Sequence, residues 1–310
     1  MKLKFKNYYK ENLCLLYFII ILTLLLGFKS LYFQKIKFYK VGHRGARGLI
    51  PENTIPSFKK AIEVGANTIE FDVHITKDGK VIIYHDASFN PDYTLKPDST
   101  EIKQDERKTY TFYQMNYNEI RRFIIGVKKY KDFPYQELTK TYVPLLTEMI
   151  DSIEIFTKKY KYPKVTYLLE IKSDANTDGF EQPPPERYVE ILMSQLRPYL
   201  TKLKDRLFIQ SFDIRPLKIL HKRFPDIRIG YLTSDKLKKF DQNISELGFK
   251  PDLYNPNFRL VNMELVEKCH SNNIKIFPWT VNDSFEINRL INMHVDGIIT
   301  DYPNFFNDKK

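Results

Sequence analysis

Residues 68–86 read TIEFDVHITKDGKVIIYHD, which is two apolar runs joined by a short polar link. Both runs, residues 68–75 and 81–85, are rich in β-branched and aromatic residues and predict β-strands. The link is too short for a parallel crossover, which needs a dozen or more residues. Its Asp78-Gly79 pair is typical of a hairpin turn, so the second strand is predicted to fold back antiparallel on the first.

The rest of the chain alternates apolar runs with amphipathic stretches from about residue 37 onward. The runs predict strands at Phe38–Gly42, Thr68–Ile75, Val81–His85, Val165–Ile171, Leu207–Phe212, Ile227–Leu232, Asp252–Asn255, Ile274–Val281 and Gly297–Thr300. The amphipathic stretches predict helices at Ser57–Val64, Leu145–Tyr160, Glu186–Leu203, Ile214–Phe224, Asp235–Leu247, Val261–Asn272 and Ser284–Met293. Strand–helix alternation is typical of a parallel sheet. Once the antiparallel strand is set aside, eight strands remain, the number that closes a TIM barrel.

The predicted fold is therefore α/β, a (β/α)8 TIM barrel over residues 37–306 with an antiparallel hairpin after its second strand. A long insertion, about residues 87–143, separates the second and third barrel strands. The insertion is rich in Tyr, Lys, Asp and Thr. We interpret it as a partly helical cap, with a helix at Asn118–Ile125 and loops around it.

The first 34 residues form a separate segment in this prediction. Residues 1–12 are basic, and Leu13–Phe28 is an apolar run of about sixteen residues. This order is typical of a signal sequence, and no small-residue cleavage site follows. We predict an uncleaved signal anchor, a transmembrane helix, at residues 1–34; a cleaved signal peptide and a buried helix of the soluble fold are the alternatives. The lysines ahead of the apolar run place that end in the cytoplasm and the barrel outside it.

The composition favours an anionic partner. The chain has 310 residues, with 49 Lys and Arg against 38 Asp and Glu, and a formal charge of +11. This excess suits phosphorylated substrates, an acidic membrane surface or nucleic acid, and a general solubility role fits equally well. No basic and aromatic motif of a known nucleic-acid module is present, so nucleic acid is not predicted as a partner. Cys14 and Cys269 have no spacing that suggests zinc.

Carboxylates on two neighbouring barrel strands indicate a metal site. Glu70 and Asp72 are two residues apart in a strand, so both point to one face. Glu170 and Lys172 repeat this spacing on the third barrel strand. Like charges that share a barrel interior repel unless a cation lies between them, and pairing with Arg or Lys is the alternative. Three carboxylates otherwise make an all-oxygen site suited to Ca²⁺ or Mg²⁺.

Two histidines are predicted to flank these carboxylates. His43 and Arg44 follow the first strand, at the C-terminal rim where barrel active sites lie. Pairing about the hairpin turn sets Asp72 opposite His85. Imidazoles suit proton transfer near neutral pH, and Arg44 with Lys172 would bind an anionic group drawn to the metal. This combination indicates phosphate ester chemistry.

Residues 41–86, VGHRGARGLIPENTIPSFKKAIEVGANTIEFDVHITKDGKVIIYHD, resemble the amino-terminal signature of the glycerophosphodiester phosphodiesterases. LLEIK, QSFD, PWTVND and DGIITDYP resemble later motifs of that family, in the same order. The resemblance covers nearly all of residues 38–303. It implies a phosphodiesterase barrel with an insertion at the hairpin.

The resemblance also implies roles for eight side chains at positions that match the family's motifs. The roles are acid/base catalysis for His43 and His85, metal binding for Glu70, Asp72 and Glu170, phosphate binding for Arg44 and Lys172, and a wall of the substrate pocket for Trp279. Core packing is the alternative for Trp279 and for Phe212, which is also placed at the pocket wall. Glu52 and Asn53 match the family's Pro-Glu-Asn-Thr and are interpreted as shaping the site, although Asn53 also suits a helix cap.

The expected activity is metal-dependent hydrolysis of glycerophosphodiesters to sn-glycerol 3-phosphate and an alcohol. Either water or the free hydroxyl of the glycerol can be the attacking group. One alternative is a barrel of the phospholipase D, lysophospholipase D or phosphatidylinositol phospholipase type that acts on membrane lipids. Another is a non-catalytic barrel that binds phosphodiesters or a protein partner, but every expected catalytic position is filled here.

Overall fold

The structure is a computed structural model that describes residues 38–306. Its strands are β1 Tyr39–Gly42, β2 Thr68–Ile75, β3 Val81–Ile83, β4 Thr94–Leu95, β5 Ile124–Ile125, β6 Thr166–Ile171, β7 Leu207–Ser211, β8 Arg228–Thr233, β9 Leu253–Pro256, β10 Lys275–Ile276 and β11 Gly297–Thr300. Its α-helices are α1 Ile55–Glu63, α2 Tyr117–Ile120, α3 Leu146–Lys159, α4 Pro185–Leu196, α5 Leu200–Leu203, α6 Ile214–Arg223, α7 Phe240–Leu247, α8 Met263–Ser271 and α9 Ser284–Asn292. Each predicted strand has a counterpart, and β4 and β5 are additional strands inside the insertion.

Eight parallel strands form a nearly closed barrel in the order β10-β9-β8-β7-β6-β2-β1-β11. Backbone hydrogen bonds bring the two ends of this sheet together. Asp296 N–H donates to the carbonyl of Ile276 at 3.2 Å, and Ile299 N–H donates to that of Pro278 at 3.0 Å. The prediction of a TIM-barrel architecture is confirmed.

The β2–β3 hairpin is antiparallel as predicted, but its register differs by one residue. Tyr84 N–H donates to the backbone carbonyl of Asp72 at 3.1 Å. The prediction that Asp72 lies opposite His85 is therefore wrong. The turn holds three residues instead of two, with Gly79 at a φ of +70°, which shifts the returning strand by one position.

The predicted helix over Glu186–Leu203 is interrupted. α4 ends at Leu196 and α5 begins at Leu200, with a single 3₁₀ turn, Arg197–Tyr199, between them. Pro198 lies in this turn. Proline has no N–H to donate, so it ends the regular α-helical ladder here.

The packing of α1 on β2 decides which side chains of β2 enter the barrel. Thr54 caps α1, since its hydroxyl oxygen accepts a hydrogen bond from Ser57 N–H at 3.3 Å. Phe58 of α1 is buried against Phe71 of β2, with ring centroids 6.0 Å apart. Because side chains alternate along a strand, Glu70 and its neighbour two residues on then point into the barrel.

A cluster of buried apolar side chains from the barrel strands lies beneath the polar residues of the barrel. They are Tyr39, Val41, Leu168, Phe208, Leu253, Phe277 and Ile299. Tyr39 and Phe277 pack closely, with ring centroids 4.8 Å apart. This apolar layer leaves the C-terminal ends of the strands for polar residues.

The insertion between β3 and α3 has an aromatic core of its own. Its buried aromatic side chains include Phe89, Tyr93, Phe112, Tyr117, Phe123, Tyr130 and Phe133. The predicted helix at Asn118–Ile125 is shorter than expected and ends as α2 at Ile120. Phe123 instead stacks on Phe89 at 3.9 Å, and the following two residues pair with β4 as β5.

Within residues 38–306, no helix is long and apolar enough to cross a bilayer. The longest of them, α3, has 14 residues. The predicted signal anchor at residues 1–34 lies outside the described residues and stays a prediction.

Candidate active site

Three carboxylates meet inside the barrel near the C-terminal ends of β2 and β6. Glu70, Asp72 and Glu170 each offer an oxygen within 4.8 Å of the other two, so together they could hold a metal ion. All three are buried, none more than 6% exposed. β2 and β6 are paired with Asp72 beside Glu170, which explains why alternate residues of the two strands converge.

The cations near this cluster do not neutralise it. Lys172 Nζ donates to Glu170 Oε1 at 2.7 Å and lies 3.6 Å from Asp72 Oδ1, which accepts no hydrogen bond although it is buried. Arg44 Nε lies 3.4 Å from the other oxygen of Asp72. Glu70 forms no ion pair with any Lys or Arg of residues 38–306. The donor set and the unsatisfied oxygen of Asp72 fit a hard divalent cation.

The raised pKa values of two of the three carboxylates indicate the same deficit of positive charge. Burial and the like charges of Asp72 and Glu170 raise the pKa of Glu70 well above its ordinary value. Burial also raises the pKa of Glu170, against the opposing effect of Lys172. At Asp72, burial is outweighed by Lys172 and Arg44, and its pKa lies below the usual value.

His43 stands at the rim of the barrel with one ring nitrogen held by a carboxylate. Its Nδ1 lies 2.6 Å from Asp301 Oδ1, and its Nε2 lies 3.9 Å from Glu70 Oε2. Asn282 Nδ2 donates to the second oxygen of Asp301 at 2.5 Å. Although burial raises it, the pKa of Asp301 is lowered to about 2 by His43. An ionised carboxylate only accepts, so Nδ1 carries the proton and Nε2 presents its lone pair.

His85 is also held by a carboxylate, as His43 is by Asp301. Its Nδ1 lies 2.7 Å from Asp86 Oδ1, and Arg107 Nη2 donates to the other oxygen of Asp86 at 2.7 Å. Burial raises the pKa of Asp86, but the hydrogen bond and charge of His85 lower it to about 2. The backbone carbonyl of His85 lies 3.0 Å from His74 Nε2, which anchors the main chain at this point. Both imidazoles therefore turn Nε2 away from a carboxylate that fixes them.

The loop after β1 carries the residues that support the cluster. Arg44 and Asn53 both have left-handed backbone, with φ of +49° and +56°. Arg44 Nη1 donates to Glu52 Oε1 at 2.7 Å. Asn53 Nδ2 donates to Asp72 Oδ2 at 2.8 Å, so Asn53 positions a carboxylate while Thr54 caps the helix.

A cavity of about 150 Å³ lies over these groups. Seven of the eight predicted site residues line it, namely His43, Arg44, Glu70, His85, Glu170, Lys172 and Trp279. Asp72 lies in the carboxylate cluster instead of the lining. Trp279 Nε1 donates to the carbonyl of Asn255 at 2.8 Å, and its ring meets Phe212 edge-on at 5.3 Å. The two aromatic rings give the cavity an apolar wall.

Comparison with known proteins agrees with this geometry. The model of the glycerophosphoryl diester phosphodiesterase family matches residues 43–305. The chain belongs to this family. As a family member it is a phosphoric diester hydrolase.

Relatives within the phosphodiesterase family match almost end to end. The chain is 29% identical to a glycerophosphodiester phosphodiesterase of Bacillus altitudinis, over 84% of this chain and 93% of that one. It is 30% identical to one from Caldanaerobacter subterraneus subsp. tengcongensis, over 85% and 93%. A Silicibacter pomeroyi structure described as a glycerophosphoryl diester phosphodiesterase superposes with a TM-score of 0.77 at 28% identity, over 89% and 95% of the chains. A phosphodiesterase of Oleispira antarctica, solved with sn-glycerol-3-phosphate, shares the fold at 20% identity and a TM-score of 0.65, over 86% and 94%.

Sequence reasoning missed the carboxylates that hold the two imidazoles. Asp86 directly follows His85, and Asp301 directly follows the last barrel strand. The position of Asp301 could have indicated a role in the site, because the C-terminal ends of all barrel strands meet at one face. Arg47 was also missed; it lines the cavity and is ion-paired with Glu52.

Proposed function

We propose that this phosphodiesterase hydrolyses glycerophosphodiesters to sn-glycerol 3-phosphate and an alcohol, with His43 and His85 as the acid/base pair. The observation that carries the proposal is the placement of two carboxylate-held imidazoles on one small cavity beside three buried carboxylates. The name of the Bacillus altitudinis relative and the product in the Oleispira antarctica structure support this substrate class.

Glu70, Asp72 and Glu170 are proposed to hold the divalent ion, Ca²⁺ or Mg²⁺. When bound, such an ion supplies positive charge against the phosphate oxygens as negative charge develops there. Arg44 and Lys172 line the same cavity, and we propose that they bind the non-bridging phosphate oxygens. Arg44 is held in place by Glu52, so its guanidinium is preorganised for an anion.

The two imidazoles divide the proton transfers. One Nε2 accepts the proton of the attacking hydroxyl, which belongs to water or to the glycerol itself. In the second case the alcohol leaves a cyclic phosphate, which water then opens to sn-glycerol 3-phosphate. The other imidazole, in its protonated form, donates to the leaving alcohol from its Nε2. Asp301 and Asp86 accept the hydrogen bond from the Nδ1–H of their histidines throughout, and each stabilises the imidazolium form of its partner.

The aromatic wall is proposed to receive the alcohol. Trp279 and Phe212 both line the cavity and contact each other edge-on, and Phe212 is 42% exposed. Rat lysophospholipase D GDPD1 is 23% identical over 85% of this chain, so a diester whose glycerol still carries an acyl chain is the second candidate substrate. The exposed Phe212 ring is the observation that favours it.

The decisive experiment measures release of sn-glycerol 3-phosphate from glycerophosphocholine by mass spectrometry. Chelation is expected to abolish release, and Ca²⁺ or Mg²⁺ to restore it. His43→Ala and His85→Ala are expected to lower turnover by orders of magnitude while the circular dichroism spectrum is unchanged. Near-normal turnover in both variants would overturn the assignment. Lysophosphatidylcholine, assayed in parallel for release of lysophosphatidic acid, separates the two substrate classes.

The signal anchor completes the proposal. Residues 1–34 are proposed to fix the protein in a membrane with the barrel outside the cytoplasm, or to be cleaved on export in the alternative. Protease added to intact cells is expected to digest the barrel. Full protection from the protease would contradict this topology.

A further inference from the structure

Three short segments carry most of the chain's excess positive charge. Residues 158–165, 197–206 and 222–228 contain 11 Lys and Arg and only two acidic residues, Asp205 and Asp226. Their net charge is +9, against +11 for the whole chain. We call these three segments the basic patch. Charge concentrated in this way attracts anionic partners.

The basic patch lies at one end of the barrel. Its segments lead into the N-terminal ends of β6, β7 and β8, which are consecutive strands of the sheet. The active site lies at the C-terminal ends of the strands, so the two are at opposite ends. The first two segments are in contact, because Arg206 Nη1 donates to the carbonyl of Val165 at 2.8 Å.

Few of these basic side chains have an acidic partner. Arg206 and Lys202 share Glu154, and Arg228 pairs with Asp205 at 2.9 Å. The other eight form no ion pair with any acidic residue of the described chain; they are Lys158, Lys159, Lys161, Lys164, Arg197, Lys204, Lys222 and Arg223. All eight are exposed. Their charges are available to an anionic partner.

A groove of about 730 Å³ runs between the second and third segments of the patch. Its lining combines apolar groups, including Leu200 and Phe224, with three basic and two acidic residues, namely Lys204, Arg223, Arg228, Asp205 and Asp226. Tyr160, in the first segment, is 56% exposed. Basic side chains beside apolar and tyrosine surface are typical of proteins that rest on a lipid headgroup layer.

The chain itself enters the barrel at this end. Tyr39 is the first residue of β1, and its N-terminal side leads to the sequence predicted as a signal anchor. We propose that the basic patch binds the surface of a bilayer that contains anionic phospholipid. The apolar groove and the position of Tyr39 at this end of the barrel favour lipid over nucleic acid. Binding of nucleic acid would require only the positive charge.

The orientation of the barrel on the bilayer also determines which substrates can reach the active site. This step rests on the proposed function. With the basic patch against the bilayer, the catalytic cavity at the other end faces water. The substrate class is then diesters dissolved in water, and not lipids of the bilayer to which the patch is bound. Turnover of glycerophosphocholine without turnover of lysophosphatidylcholine in the same vesicles is the expected result.

Amide hydrogen exchange of the full chain in vesicles tests the contact without using activity. Exchange in the basic patch is expected to be slower in phosphatidylcholine vesicles that contain phosphatidylglycerol than in pure phosphatidylcholine. High salt should remove the difference. Each basic residue at an anionic surface strengthens contact about fivefold, so the triple variant Lys164→Gln, Lys204→Gln, Arg223→Gln should lose on the order of a hundredfold in protection.

The matched control removes three exposed lysines from other surfaces, as Lys77→Gln, Lys140→Gln, Lys236→Gln. It should keep the phosphatidylglycerol effect, and both triple variants should turn over glycerophosphocholine like the unmodified chain. No difference between the two vesicles, or an equal loss in both variants, would overturn the proposal. Slower exchange of the patch with duplex DNA but not with phosphatidylglycerol would assign it to nucleic acid instead.

Discussion

Replacing Asp301 by Asn tests whether a carboxylate behind His43 is part of the catalytic apparatus. The change keeps the shape of the side chain and removes its charge. Asp301 is 3% exposed and lies 2.6 Å from His43 Nδ1. An amide can also donate to Nδ1, which would move the ring proton to Nε2 and block that nitrogen as an acceptor. We expect a large loss of turnover and a folded protein.

The size of the loss follows from the charge that is removed. The centres of the carboxylate and the imidazolium are about 4 Å apart, which corresponds to about 4 kcal/mol at an effective dielectric constant of about 20. If His43 becomes charged only in the transition state, the full amount is lost from transition-state stabilisation. Each 1.36 kcal/mol is about tenfold in rate, so turnover should fall by about a thousandfold.

The assay is kcat for glycerophosphocholine across pH, with the metal at saturation. Burial lowers the pKa of His43, and the charge of Asp301 opposes this effect. The variant lacks that charge, so the part of the pH–rate profile governed by His43 should move to lower pH. Asp283→Asn is the matched control, because Asp283 caps α9 nearby and Asn also caps well. Turnover of Asp301→Asn within about threefold of the control would refute the role assigned to this carboxylate.

Three further predictions concern the metal, acid stability and the aromatic wall. Ca²⁺ or Mg²⁺ at about a hundred times Kd should raise the free energy of unfolding by about 2.7 kcal/mol, measured by thermal denaturation. The Glu70→Gln variant should lose this gain. An undiminished gain in the variant would exclude Glu70 as a ligand. The folded-state pKa of Asp301, about 2, lies below the ordinary value of 3.8 for an aspartate, so its stabilising contribution of about 2 kcal/mol is present above about pH 4 and lost as pH falls toward 2. Acid titration of unfolding should show a weaker dependence in Asp301→Asn, and equal slopes would contradict this. Trp279→Ala should raise KM for glycerophosphocholine about tenfold with little change in kcat, since a cation over an indole gains about 1–2 kcal/mol; an unchanged KM would remove Trp279 from the pocket.

The fold was predictable because strand periodicity and turn chemistry are local. The predicted strands Thr68–Ile75 and Gly297–Thr300 begin and end at the same residues as the observed strands. The hairpin was recognised from Asp78-Gly79, but its register was not, because a two-residue and a three-residue turn share the same glycine signal. A single residue of turn length moves every cross-strand partner, so patterns alone do not fix it.

The candidate site was predictable where residues on one strand share a face. Glu70 and Asp72 follow from their spacing of two, and Glu170 from the neighbouring strand. The partners of the histidines required knowledge of which strand ends are adjacent in space. Asp301 is 258 residues from His43 in sequence, and only barrel closure between β1 and β11 brings them together. The insertion was least predictable, since its aromatic core depends on contacts within a segment that has little regular structure.

The start of the first strand and the catalytic cavity lie at opposite ends of this barrel. The first strand begins at Tyr39 at one end, while the cavity with His43 and His85 opens at the other. A tether fused ahead of Tyr39, whether to a bead, an electrode or a different carrier protein, should therefore leave the mouth of the cavity unobstructed. The same geometry suits the enzyme to immobilised use in a flow reactor, where the substrate passes in solution over a fixed layer of protein.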